Sequence, residues 1–197
     1  MTAPPLRLLD LFCGMGGWSI GFHREGFECV GVDVKDVGYP YELIHKNIRD
    51  YHPEGHFDVL VASPPCTEFS DLLFLSVARG SRGPGEPEKG MELVRETHRV
   101  IQETKPRFWV LENVRGSVKY ISTLLGPPKF LHKPYYLWGD FPRFLLPNSF
   151  LGHKTLKGRD GRLNSETNWL PLASYFRSRI PLPLSIGLAR ACKEALA

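Results

Sequence analysis

Apolar residues along this 197-residue chain fall into short runs separated by polar and glycine-rich stretches. RLLDLF (Arg7–Phe12), FECVGVD (Phe27–Asp33), FDVLVAS (Phe57–Ser63), FWVLEN (Phe108–Asn113) and YYLWGDF (Tyr135–Phe141) read as strands. They are short, apolar and rich in aromatic and β-branched residues. Helical patterning fills the gaps. WSIGFHREG follows the first run, and Met91–Lys105 carries Leu93, Val94, Val100 and Ile101 at helical spacing. PLSIGLARACKEAL closes the chain, with proline near its start. Strands alternating with helices predict an α/β fold, a mostly parallel sheet with helices on both faces. From Leu73 to Gly90, glycines, prolines and charges predict a loop, either disordered or acting as a lid. After Pro147 the pattern fades, and HKTLKGRDGRLNSETN reads as polar loop.

Composition narrows the setting. The chain is 42% hydrophobic and 23% charged, as expected for a soluble globular protein. No apolar run approaches the roughly 20 residues that span a bilayer, and the N-terminus lacks a signal-peptide pattern. The four cysteines show no paired spacing, which predicts a reducing, intracellular setting, with Cys13 and Cys29 as buried thiols. His52 and His56 are split by Pro53 and have no cysteine pair nearby, so no metal site is expected. Charge is uneven: residues 1–128 hold 14 Lys and Arg against 17 Asp and Glu, whereas residues 129–197 hold 11 against 4. A basic C-terminal third suits a polyanion such as nucleic acid, and equally a solvated basic surface.

Three segments could carry chemistry. In DLFCGMGG (Asp10–Gly17) a strand runs into Gly14, Gly16 and Gly17 before a helix. Such a turn lets a ligand approach the backbone closely, or is simply structural. Asp33 ends the next strand, about 20 residues on, where a carboxylate grips ribose hydroxyls. Ser19 stands where a dinucleotide fingerprint wants its third glycine. That favours an adenosyl ligand without pyrophosphate, such as S-adenosylmethionine. Next, FDVLVAS delivers Pro64-Pro65-Cys66 to a strand's carboxyl end, where open α/β sheets bind ligands. Two prolines fix the backbone and so aim the thiol. Last, WVLENVRG sets Glu112 at the end of another strand, where desolvation would let it donate a proton near neutrality. Each could be incidental alone. Together, a thiol that adds to C6 of cytosine, an acid near N3 and a methyl sulfonium pocket are the parts that C5 methylation requires.

These segments resemble the DNA (cytosine-5) methyltransferase family, in the compact form found in phages and prokaryotes. DLFCGMGGWSIGF is similar to its first motif, SPPCTEFS to its nucleophile motif and ENV to its acid motif. The resemblance covers roughly residues 6–145. It implies a Rossmann-like, S-adenosylmethionine-dependent methyltransferase fold, with S-adenosylhomocysteine as product and no metal. It makes Cys66 the nucleophile and Glu112 the acid, with Pro65 and Asn113 completing the catalytic set. Phe12, Gly14, Met15, Gly16, Asp33, Val34, Asp50, Tyr51 and Pro64 would form the cofactor site. Ser70, Arg79, Arg82, Lys89 and Lys133 would meet DNA, double-stranded and with the target base flipped.

The implied organisation is a catalytic domain over 1–145, a reduced target-recognition region over 146–175 and a segment over 176–197 that packs back. The expected state is a monomer, cytoplasmic and nucleoid-associated, or in host cytoplasm if phage-encoded. Three departures stand out. HKPYYLWGDFP lacks the family's Gln-x-Arg-x-Arg arginines, the recognition region is short, and Ser178 stands where the last motif carries asparagine. The short recognition region predicts a short or loose sequence preference. Alternatives are the same chemistry on tRNA or a free cytosine nucleotide, an inactive DNA-binding relative, or one half of a split enzyme.

Overall fold

The structure is a computed structural model, and it describes residues 4–69, 85–146 and 179–197. In chain order the elements are β1 (Arg7–Leu11), α1 (Gly17–Arg24), β2 (Glu28–Asp33), β3 (Glu42–His45) and β4 (Val59–Ala62). There follow α2 (Pro87–Thr104), β5 (Phe108–Asn113), α3 (Val118–Leu125), β6 (Phe130–His132), β7 (Tyr135–Asp140) and α4 (Leu182–Leu196). Short 3-10 turns span Ile48–Asp50 and Arg115–Ser117. The seven strands form one sheet in the order β3-β2-β1-β4-β5-β7-β6. The first five are parallel, while β7 runs antiparallel to β5 and pairs with β6 as a hairpin. This is a Rossmann-like α/β arrangement, a mostly parallel sheet with helices on both faces.

Strand alternation sorts the core into layers. Leu8, Val59, Val61, Phe108 and Val110 face Trp18 and Phe22 of α1 and Leu184, Leu188 and Cys192 of α4. Their neighbours Leu9, Leu11, Leu60 and Ala62 face Val100 and Ile101 of α2 on the other side. A third cluster joins Phe69, Met91 and Val94 to Ile121, Tyr136 and Trp138. Helix α4 therefore closes the chain onto its own beginning. Ser185 Oγ–H donates to the Trp18 carbonyl, Arg190 pairs with Glu25 at 2.9 Å, and Lys193 Nζ donates to the Glu25 carbonyl at 2.7 Å. Gly21 permits this approach, since a Cβ there would lie 2.2 Å from Ser185 Oγ. Among the described residues, no helix is long and apolar enough to cross a membrane.

Three elements escape the sequence reading. Strands β3 and β6 are four- and three-residue edge pieces, too short to show a period. Helix α3 has a single fully buried residue, Ile121. The reading of a loop through Gly90 is corrected at its end: residues 87–90 form the first turn of α2, with Pro87 pre-set for that position. Gly90 serves close packing there, since a Cβ would meet the Phe69 ring at 2.4 Å.

Candidate active site

The strand order reverses between β1 and β4, and the crevice at the carboxyl ends of those two strands is where such sheets bind ligands. The glycine turn leaves β1 on one side. The Pro-Pro-Cys turn leaves β4 on the other, and β5, next to β4, brings Glu112 to the same edge.

Asp33, at the end of β2, holds the glycine turn in shape. Its Oδ2 accepts the Gly14 N–H at 3.0 Å and its Oδ1 accepts the Lys35 N–H at 3.0 Å. Each oxygen keeps a lone pair for a hydroxyl donor. The Phe12 and Cys13 N–H groups donate to the Val32 carbonyl, and Gly16 adopts φ 75°. Phe12 sits at φ 58°, a left-handed conformation rare for a bulky residue. Beneath the turn lies a buried polar knot: Ser19 Oγ–H donates to Asp10 Oδ2 at 2.6 Å and lies 2.7 Å from the Tyr39 hydroxyl. Burial raises the Asp10 carboxyl to about 7. The residue that reads as a missing glycine, Ser19, thus spends its hydroxyl tying α1 to β1.

The cofactor residues named from the sequence divide by position. Phe12, Gly14, Met15 and Gly16 form the turn, and Val34, 53% exposed, offers an apolar surface just beyond Asp33. Asp50 is exposed on the 3-10 turn. Tyr51 is different: its ring is packed among Val30, Ile48 and Phe57, and its buried hydroxyl lacks a hydrogen-bond partner among the described residues. The exposed Val34, the glycine turn and the lone pairs of Asp33 suit an adenosyl group.

Cys66 is half-buried in the turn after β4, whereas Cys13, Cys29 and Cys192 are fully buried. Its carbonyl accepts the Phe69 N–H at 3.0 Å, closing the turn. Pro64 is buried and Pro65 exposed. The buried Asn113 lashes this turn to β5: Nδ2–H donates to the Pro64 carbonyl at 3.0 Å while Oδ1 accepts the Val114 N–H at 2.9 Å. Asn113 therefore acts on the position of the thiol turn through its backbone.

Glu112 and Cys66 sense each other. Burial is the main cause that raises the Cys66 thiol above its ordinary value, and the Glu112 carboxylate is the second. Burial also raises Glu112 from 4.5 to about 7, partly offset by a hydrogen bond from the Ser63 side chain. Tyr135 on β7 is pushed up to about 12, mainly by burial and then by Glu112. Ser63 Oγ in turn accepts Trp18 Nε1–H at 3.0 Å. Ser63, Tyr135 and Trp18 were not among the site residues expected from the sequence. Strand parity is the signal that could have found them, because Ser63 follows Val59 and Val61, and Glu112 follows Phe108 and Val110, on the α1 face.

The DNA-contact residues are less gathered. Lys133 is exposed at the β6–β7 turn. Lys89 lies in the first turn of α2, paired with Glu86 at 2.7 Å. With Arg49, itself paired to Glu92 at 3.0 Å, it borders an open cavity of about 380 Å³ beside Pro65 and Thr67. Ser70, Arg79 and Arg82 lie outside the described residues, as do Ser178 and the recognition region from residue 147 on. His52 and His56 bond to Glu103 and Asp58, at 3.0 and 3.1 Å.

Comparison with known proteins adds a second line. The model of the C-5 cytosine-specific DNA methylase family matches residues 6–122. A protein of Frog virus 3 (isolate Goorha), described as "Probable DNA (cytosine-5)-methyltransferase", is 31% identical over 173 residues, 83% of this chain and 80% of that one. The type II methyltransferases M.FnuDI of Fusobacterium nucleatum and M.Bsp6I of Bacillus sp. (strain RFL6) are 32% and 36% identical over 60% and 57% of this chain. Only 35% and 37% of those bacterial proteins is covered. The glycine turn, the Pro-Pro-Cys turn and the Glu-Asn-Val turn all fall inside the matched stretch, which takes in more than half of the residues, and the chain belongs to the C-5 cytosine-specific DNA methylase family.

Proposed function

We propose that this protein methylates C5 of cytosine in DNA through a covalent adduct between Cys66 and C6. The observation that carries the reading is the juxtaposition of one half-buried thiol and one half-buried acid at a single sheet edge, close enough that the carboxylate raises the thiol. Family membership supports the DNA substrate.

The chemistry asks for opposite protonation states in the pair. The thiolate attacks C6, forming the S–C6 bond and breaking the C5–C6 π bond, which leaves C5 electron-rich. Glu112, protonated near neutrality, gives a hydrogen bond or a proton at N3 and so neutralises the charge that spreads over the ring. Two negative charges side by side are disfavoured, so the proton on Glu112 also eases ionisation of Cys66. Asn113 holds the thiol turn against β5, which limits how far sulfur and carboxyl can drift apart. When bound, S-adenosylmethionine supplies an electrophilic methyl group; Phe12, Gly14, Met15, Gly16, Asp33, Val34, Asp50 and Pro64 are the residues suited to hold it. Loss of the C5 proton to a base and departure of sulfur from C6 restore the aromatic ring and the free thiolate. A base inside a duplex is out of reach of a thiol in a crevice, so the target cytosine must leave the stack. Lys133 and Lys89, with Ser70, Arg79 and Arg82, are candidate backbone contacts.

The test offers labelled methyl donor with duplex DNA, tRNA or dCMP in parallel, with Cys66→Ala as control. Label in DNA that disappears in the variant supports the proposal. Label confined to tRNA or dCMP moves the substrate, and no transfer to any of the three refutes it. A duplex carrying 5-fluorocytosine should trap Cys66 covalently, because fluorine blocks the final elimination.

A further inference from the structure

Glu112 is held from behind by groups that the expected chemistry does not name. Ser63 directly follows β4 on the α1 side of the sheet, and there its Oγ meets the indole N–H of Trp18 at 3.0 Å. Trp18 is 2% exposed and stands two residues after Gly16, at the start of α1. The β4–β5 register that pairs Ala62 with Leu111 sets Ser63 beside Glu112 on the same face of the sheet, and the Ser63 hydroxyl lowers the proton affinity of that carboxyl. An indole N–H can only donate, so Ser63 must accept from it, and the hydroxyl proton is then free to point at the carboxylate. The three side chains form a directed chain, Trp18 N–H to Ser63 O–H to Glu112. It runs from the helix that follows the glycine turn to the acid of the site.

We propose that Trp18 and Ser63 are positioning residues, a relay that aims the Glu112 carboxyl and sets how firmly it holds its proton. The inference rests on the reading of Glu112 as the acid. A donor fixed on a carboxylate favours the ionised form and makes the acid form a better proton donor. Burial drives Glu112 the other way, and the relay opposes it. Among the described residues, Cys66 and Tyr135 are titratable groups that Glu112 acts on, and its charge raises both. Removing the serine hydroxyl should therefore raise the Glu112 midpoint by about one pH unit, the size of a lost hydrogen bond to a charged group. Removing the indole N–H lets the serine proton rotate away, with an effect of the same sign.

The first measurement uses the unaltered protein. The Trp18 indole resonance, assigned by its loss in Trp18→Phe, should titrate with the Glu112 midpoint near 7, and that step should be absent in Glu112→Gln. The second follows the Glu112 carboxyl carbon by NMR. Ser63→Ala and Trp18→Phe should each move its midpoint upward, the double variant should move it no further than Ser63→Ala alone, and Ser63→Thr should restore it. An indole resonance blind to Glu112, or a midpoint unmoved by Ser63→Ala, overturns the relay. The pH dependence of kcat/KM separates the two claims: if the NMR midpoint moves and the kinetic midpoint does not, the relay stands and the assignment of Glu112 as the acid falls.

Discussion

Replacing Glu112 by glutamine should strengthen the fold while weakening the reaction, and the gain should appear only at neutral and higher pH. Burial lifts the carboxyl from 4.5 to about 7. The folded protein therefore binds more protons than the unfolded chain between those two values, and stability falls as pH rises through that window. The shift corresponds to about 3 kcal/mol once the folded-state carboxyl is fully ionised, and to under about 1 kcal/mol at pH 5, where it is still protonated. Glutamine is close in shape and carries no charge to desolvate, so it recovers most of that difference at pH 8 and little at pH 5. Urea unfolding of both proteins at the two pH values measures it. In parallel, loss of a positioned acid should slow methyl transfer about 10²- to 10⁴-fold. Equal stability of the two proteins at pH 8 would mean that the carboxyl is not held in a desolvating site, and the assignment of Glu112 as an acid poised near neutrality would fail with it.

Other outcomes follow from single contacts. The dependence of kcat/KM on pH should be bell-shaped, rising through about 7 as the Cys66–Glu112 pair loses its first proton and falling when the second leaves the raised thiol; a profile flat from pH 6 to 8 would contradict the pairing. Asn113→Leu removes the buried link to the Pro64 carbonyl and should cost about 1–3 kcal/mol, with kcat falling more than KM rises; thermal unfolding and steady-state kinetics check both halves. Tyr51→Phe removes a buried hydroxyl without a described partner and should raise Tm while leaving donor binding unchanged. Weaker donor binding by calorimetry would instead return Tyr51 to the cofactor site. Gly21→Ala drives a methyl group into Ser185 and the backbone of Ile186 and should destabilise by about 1–3 kcal/mol, loosening α4 from α1 by hydrogen exchange.

Much of this molecule was legible without coordinates. The five interior strands could be read because each buries both faces, which leaves an unbroken apolar run bounded by turn residues. Cys66 and Glu112 stood out because each follows such a run at a strand's end, where side chains leave the core and enter the crevice. What stayed hidden had short or mixed signals. Strands β3 and β6 exist because their neighbours offer paired edges, and nothing in ELIH or FLH demands extension.

Only the tertiary structure decided which residues meet across long separations. Trp18, Ser63 and Glu112 are drawn together by strand order and by the parity of β4 and β5, neither of which is a local property. Tyr51 is itself expected from the sequence to bind the cofactor, yet its ring turns inward, because the 3-10 turn at Ile48–Asp50 directs it to the core. Asp33 carries a sequence signal for ribose, and folding gave it a first task, holding the Gly14 and Lys35 N–H groups that would otherwise lack partners. The sequence determined the chemical groups and the strand ends that carry them. Folding determined their environment, because proton affinity depends on what surrounds a carboxyl and a thiol rather than on what adjoins them in the chain.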